Sequence, residues 1–254
     1  MPVTIKSARE IELMAEAGRI LEIVHNELRD ALHAGMSTLD IDRLGEEIIR
    51  SYDCIPSFLN YNGYPASICV SLNQEVVHGI PDKHRIIQEG DIVSLDAGVI
   101  YKGYHSDAAR THAVGEVSEE AKKLIQVTKE SFFEGIKFAK AGNHLFDISG
   151  AIGRYAEERG YGVVRDLCGH GIGTALHEAP EIPNYEVGRK GVRLRPGMTL
   201  AIEPMINIGT HEVDWLDDDW TVVTRDGSLS AHYENTILIL SLIHISEPTR
   251  LQLI

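Results

Sequence analysis

The segment AGMSTLDI starting at Ala34 recurs as AGNHLFDI starting at Ala141, a displacement of 107 residues. GDIVSLD from Gly90 recurs as GMTLAIE from Gly197 at the same displacement. The first pair reads as helix and the second as strand, so a common displacement points to a duplicated unit. Each half then runs helix, helix, strands, and Asp96 and Glu203 fall at equivalent positions. Two such halves facing each other bring their acidic strands to a central cleft, a usual place for a site. The expected organisation is a single domain over 1–241, with halves of about 1–115 and 116–241.

Local signals fill in each half. Ser7 and Glu10 form an S-x-x-E capping box, followed by Ile11, Met14, Leu21, Val24 and Leu28 at helical spacing, and Gly35 is the expected stop. STLDIDRLGEEIIRSYD reads as a second helix and SICVSLN as a strand. After Gly115 the pattern restarts, with a helix from Ser118 to about Lys140 and a shorter one through LFDISGAIGRYAEERG. GMTLAIEPMI, WTVVTR and SAHYENTILIL read as strands. The last stretch, 242–254, predicts no element that packs and reads as a non-native or disordered tail.

Composition excludes several classes. A net charge of −14 lacks the basic face of a duplex nucleic-acid binder, and 43% apolar residues suffice for a large core. Cys54, Cys69 and Cys168 are an odd number with no close pair, which suits neither a disulfide framework nor a thiolate zinc site and fits a reducing cytoplasm. The N-terminus has no signal-peptide pattern, and no apolar run approaches the ~20 residues needed to span a bilayer.

SLDAGVIYKGYHSD, residues 94–107, reads as a β-hairpin turning near Lys102-Gly103. If the turn centres between Tyr101 and Lys102, Asp96 and Asp107 are direct partners with Cβ atoms roughly 4.5–5.5 Å apart. Centring it on Lys102-Gly103 shifts the pairing by two residues and leaves both on one face. Like charges so placed are destabilising unless compensated, and a divalent cation is the simplest compensation. The plain alternative is a solvated hairpin tip. Further polar residues interrupt apolar strands: His170 in LCGHGIG, Glu203 in LAIEPM, Glu234 in SAHYENTILIL, and His78 and His177 in VVHGIP and ALHEAP. Singly, each is more often a hydrogen-bonded core residue. Together, Asp96, Asp107, His170, Glu203 and Glu234 offer donors for two divalent ions.

SLDAGVIYKGYHSDAART, CGHGIG, AIEPM and SAHYENTILI, in this order over about residues 3–240, resemble the bacterial type I methionine aminopeptidases. The resemblance implies an α+β (α/β) pita-bread fold, in which two pseudo-symmetric halves form a curved antiparallel sheet with helices on its outer face. It implies two divalent cations (Co, Mn, Fe(II), Zn or Ni), with Asp96 chelating one, His170 and Glu203 holding the other, and Asp107 and Glu234 bridging. Such a pair lowers the pKa of a bound water toward ~7 for attack on the first peptide bond. His177 is implied to stabilise the oxyanion, His78 to contact the scissile amide, and Glu203 to shuttle the proton.

The implied methionine pocket is Phe58, Tyr61, Tyr64, Cys69, Leu176 and Trp220, with Phe58 and Leu176 departing from a bacterial member that has cysteine and phenylalanine there. No zinc-binding extension of the eukaryotic type I kind is present, and the span from Glu203 to Glu234 is too short for the type II insert. The implied activity is co-translational removal of N-terminal methionine before a small second residue, by a cytoplasmic monomer that meets nascent chains at the ribosome. By that rule Met1 before Pro2 makes the chain its own substrate. The rivals are an X-Pro aminopeptidase or prolidase of the same fold, for whose usual N-terminal domain the chain lacks room, and a non-catalytic binding module, which would be expected to have lost ligands.

Overall fold

Helix α1 (Ala8–Ala31) starts where Ser7 and Glu10 cap each other: Ser7 Oγ accepts from the Glu10 N–H, and the Glu10 carboxylate accepts from the Ser7 N–H at 2.7 Å. These coordinates come from a computed structural model that describes residues 3–240. The expectations for the 242–254 tail and for Met1-Pro2 lie outside the described residues. The helix ends at Ala31, before Gly35, which serves the following turn with φ of 96°. Helix α2 (Thr38–Ser51) is capped by Ser37 and Asp40. Helix α3 (Glu119–Ile136) starts after Ser118 and stops short of Lys140, and α4 (Leu145–Glu157) follows.

The displacement of 107 recurs in the hydrogen bonds. Gly35 N–H donates to Ile87, Ile87 N–H to Met36 and Thr38 N–H to Arg85; 107 residues on, Gly142 donates to Leu194, Leu194 to Asn143 and Leu145 to Val192. Asp40 accepts the Ser37 N–H at 2.9 Å, as Asp147 accepts that of His144 at 2.8 Å. Gly142 has φ of 98°, matching Gly35, while Gly90 and Gly197 have 92° and 84°. A backbone conformation that only glycine adopts readily is thus repeated at equivalent points.

Strand pairing among the described residues is antiparallel and falls into four sheets. In the first half, Ile92–Tyr101 lies between Tyr104–Ala113 and Ile68–Leu72, and also pairs Ile55–Pro56. In the second, Thr199–Ile202 lies between Asn235–Leu238 and Gly169–Gly171, with Glu178–Ile182 outermost. The two three-stranded sheets are built on Met205–Asn207 and on Val222–Thr224. The curved antiparallel surface expected for the fold is thus assembled from these four sheets. Pro204, which has no N–H for a ladder, separates Thr199–Ile202 from Met205–Asn207. The halves join where Ala109 and Glu234 exchange backbone hydrogen bonds of 3.3 and 2.9 Å.

The hairpin turn is centred on Lys102-Gly103. Both have positive φ, 49° and 86°, and Tyr101 pairs with Tyr104. Asp96 accordingly faces Ala109, and Asp107 faces Gly98. Direct opposition of the two aspartates is corrected to a diagonal relation on one face, because the alternative turn would force an aromatic, Tyr101, into the left-handed region. Leu21, Val24 and Leu28 of α1 and Ile41 and Ile49 of α2 pack on Val93, Leu95 and Ala97, while Phe132, Ile148 and Ile152 of α3 and α4 pack on Leu200, Ile202 and Ile237. The two cores are separate, and the strands between them carry the polar residues described next.

Candidate metal centre

Asp96 and Asp107 reach the cleft from the two arms of the hairpin, and His170 comes from the strand facing Ala201. The glycines flanking His170 are required by its packing. A Cβ at Gly169 would stand 2.4 Å from the Ala201 carbonyl oxygen, and one at Gly171 would stand 2.1 Å from that of Ala179. Glu203 projects where its strand breaks before Pro204, and Glu234 is fixed by its backbone exchange with Ala109.

These side chains converge. His170 Nε2 lies 3.7 Å from Glu203 Oε1 and 3.9 Å from Asp107 Oδ2. Ligand atoms of Asp107, His170 and Glu234 lie within 4.8 Å of one another, as do those of Asp96, His232 and Glu234, so Glu234 belongs to both sets. His170 Nδ1 donates to the Gly171 carbonyl at 2.9 Å, which leaves the Nε2 lone pair of the neutral ring facing the carboxylates. Burial, with His177 nearby, lowers the His170 pKa to about 3, so the ring is neutral.

Within the protein the carboxyls are compensated only weakly, Glu234 by the Arg110 charge and Asp107 by the Ala108 N–H. Burial raises Asp96, Glu203 and Glu234 well above the carboxylate range, aided by Asp107 at all three, and burial raises Asp107 to about 7. Asp96 Oδ1, Asp107 Oδ1 and Glu234 Oε1 are buried without a hydrogen-bond partner. Four carboxyls and an imidazole held this way form an oxygen-rich donor set that fits divalent cations.

Beside them lies a cavity of about 160 Å³ whose walls include Phe58, Tyr61, Tyr64, Cys69, Leu176 and Trp220, together with His78, His177 and Asn62. Every residue expected from the sequence is therefore brought to this cleft. Tyr64 meets Trp220 edge to face at 5.1 Å, and the His170 and His177 rings are 4.1 Å apart. His78 adopts a positive φ of 59°, the kind of backbone strain that persists where surrounding structure fixes a side chain for a task. Burial lowers the pKa of His78, to about 4, and that of His177. His232 and Asn62 were missed from the sequence. His232 had a signal, since SAHYEN puts it two positions before Glu234.

The model of "Metallopeptidase family M24" matches residues 12–241. The chain is 57% identical over 238 residues to the methionine aminopeptidase of Clostridium acetobutylicum, covering 94% of this chain and 95% of the other. It superposes on the crystal structure of the Thermotoga maritima methionine aminopeptidase with a TM-score of 0.92 at 46% identity, covering 94% and 96% of the chains. A Bacillus anthracis Xaa-Pro dipeptidase is more distant, with a TM-score of 0.74 at 27% identity, covering 93% of this chain and 59% of that one. These likenesses identify the architecture as the pita-bread fold. By the extent of the family match and of these identities, the chain belongs to metallopeptidase family M24, among its methionine aminopeptidases.

Proposed function

We propose that the chain is a metal-dependent methionyl aminopeptidase that removes the N-terminal methionine from nascent proteins when the second residue is small. The observation that carries this reading is the joining of a buried carboxylate-imidazole cluster to a narrow, mostly apolar cavity in one cleft. That cavity takes an unbranched thioether without requiring a polar partner for it. Asp96, Asp107, His170, Glu203 and Glu234 would hold two divalent cations, with Asp107 and Glu234 shared. When bound, such ions supply Lewis-acid polarisation and lower the pKa of water.

The chain's own groups do the rest. Phe58, Tyr61, Tyr64, Cys69, Leu176 and Trp220 hold the methionine side chain and exclude water from it. His177, neutral and at the cleft, donates a hydrogen bond from Nε2 to the substrate carbonyl oxygen as negative charge develops there. His78 contacts the scissile amide. Glu203, whose carboxylate lies at the edge of the donor set 3.7 Å from His170 Nε2, passes the proton to the departing amine.

The single domain over 1–241 is read as two halves, about 1–115 and 116–241, that each contribute ligands. Among the described residues no helix is long and apolar enough to cross a membrane. A cytoplasmic monomer acting transiently at the ribosome is the setting we infer. A proline-specific peptidase is disfavoured by its greater distance, and a non-catalytic module by the complete donor set. Mass spectrometry of Met-Ala-Ser digested with metal-reconstituted protein tests the reading. Release of methionine is expected, and faster cleavage of X-Pro peptides would overturn it.

A further inference from the structure

His232 ends the strand Ser230–His232, is 2% exposed, and has no hydrogen-bond partner at either ring nitrogen. Other buried imidazoles are tied: His25 Nε2 donates to the Ala108 carbonyl at 2.8 Å, and His105 Nδ1 is 3.0 Å from Ser57 Oγ. Desolvation at two unpaired nitrogens is uncompensated within the protein. The position of His232 is nonetheless firmly set. Its backbone N–H donates to Thr111 Oγ1, and its carbonyl accepts from the same hydroxyl, each at 2.9 Å.

His232 Nε2 lies 3.9 Å from Glu234 Oε2. His170 Nε2 keeps the same separation from Asp107 Oδ2 and 3.7 Å from Glu203 Oε1. Two donors each about 2.1 Å from one ion stand at most about 4.2 Å apart, so all three pairs lie within the span of a shared cation. Asp96 joins His232 and Glu234 in a set whose atoms lie within 4.8 Å of one another. Asp96 Oδ1 and Glu234 Oε1 are themselves unpaired.

We propose that His232 is a metal ligand, its Nε2 joining Asp96 and Glu234 on one ion, so that the centre has an imidazole donor on each side of Glu234. This extends the five-residue set of the proposed function and rests on that metal centre. A second imidazole shifts preference toward Co²⁺, Ni²⁺ and Zn²⁺ relative to Mn²⁺, whose partners are mainly oxygen donors.

The test is proton NMR of the intact protein loaded with two equivalents of Co²⁺, in which a cobalt-bound imidazole that keeps its N–H gives a paramagnetically shifted, exchangeable signal. Two such signals are expected in the parent and one in His232→Gln. Calorimetric titration should show Co²⁺ affinity reduced about tenfold or more in His232→Gln, and Mn²⁺ affinity reduced less than threefold. Two bound cobalt ions with a single imidazole signal in the parent would overturn the assignment of His232 alone. A parent that binds no Co²⁺ would overturn the metal centre as well. The parent spectrum decides the matter even if the variant does not fold.

Discussion

The hydroxyl of Tyr61 lies 2.7 Å from Nδ1 of His177, joining the two halves of the chain across the cleft. Tyr61 is presented by a tight turn in which Asn60 and Asn62 both have positive φ, 65° and 49°. Burial raises the phenol pKa against the opposing effects of the Asn62 side chain and the His177 backbone N–H, so the hydroxyl keeps its proton at neutral pH. Donating that proton to Nδ1 leaves the neutral His177 ring with its own proton on Nε2. That tautomer is the one able to donate to an oxyanion.

His177→Ala should therefore retain metal and lose kcat by about 10²–10³, roughly 3–4 kcal/mol, with little change in KM. Tyr61→Phe keeps the ring and should lose about 5–10-fold in kcat, the worth of one hydrogen bond. The double variant should be no slower than His177→Ala, because the two act as a unit. Steady-state kinetics on metal-loaded, folded protein checks all three. Independent, multiplying losses would detach Tyr61 from His177, and a kcat for His177→Ala within threefold of the parent would remove that residue from the mechanism.

Glu234 belongs to both candidate ligand sets, and Asp107 approaches His170 to 3.9 Å. Asp107→Ala and Glu234→Ala should each abolish tight binding of both ions, whereas His170→Ala should weaken mainly one. Anaerobic calorimetry with Mn²⁺ or Co²⁺ separates these outcomes. Two ions bound unchanged by Asp107→Ala would contradict a bridging role for that carboxylate.

Features that depend on local chemistry were legible in the sequence. The Ser7–Glu10 cap needs only a spacing of three, and the 107-residue repeat needs only two matching segments. The clustering of acids and histidines also showed, because a charged side chain in an apolar strand is conspicuous wherever it ends up. Tertiary relations did not show. Tyr61 and His177 are 116 residues apart, and no spacing encodes a hydrogen bond between them. The hairpin register turned on which residue takes positive φ, and reading the glycine as part of the turn settles it only once Tyr101 is weighed as the alternative. His232 was passed over although it stands two positions before Glu234, because the sequence carries no mark that both its ring nitrogens are unpaired.

The repeat itself makes a stability prediction. Gly35 and Gly142 have φ of 96° and 98°, and a Cβ at Gly35 would meet nothing within 4 Å, while one at Gly142 would meet only Arg193 Nη2, at 3.9 Å. Alanine at either site therefore strains the backbone without a steric clash, and each substitution should destabilise by about 1–3 kcal/mol. The two losses should agree within roughly 0.5 kcal/mol, and metal-loaded activity per folded molecule should be unchanged. Urea denaturation monitored by circular dichroism measures this. A neutral Gly142→Ala beside a destabilising Gly35→Ala would break the equivalence of the two turns.

Metal removal should reverse the dependence of stability on pH. In the metal-free protein, burial holds Asp96, Glu203 and Glu234 well above the usual carboxylate range and Asp107 at about 7, against an ordinary 3.8. A carboxyl whose pKa is higher in the folded than in the unfolded state binds more protons when folded, so stability falls as pH rises. For Asp107 that contribution is whole below pH about 4 and is lost by about pH 7, and the other three extend the loss further upward. Bound cations invert the sign, because they compete with protons for the same oxygens and stabilise more as those oxygens ionise. Between pH 5 and 7.5 the Tm of chelator-treated protein should fall by on the order of 5 °C, while that of Mn²⁺-loaded protein should hold or rise. Asp107→Asn should flatten the metal-free curve, since the amide has no proton to lose over this range. Differential scanning calorimetry of both forms across this range provides the comparison, and a metal-free protein that gains stability from pH 5 to 7.5 would contradict the dominance of burial at these four carboxyls.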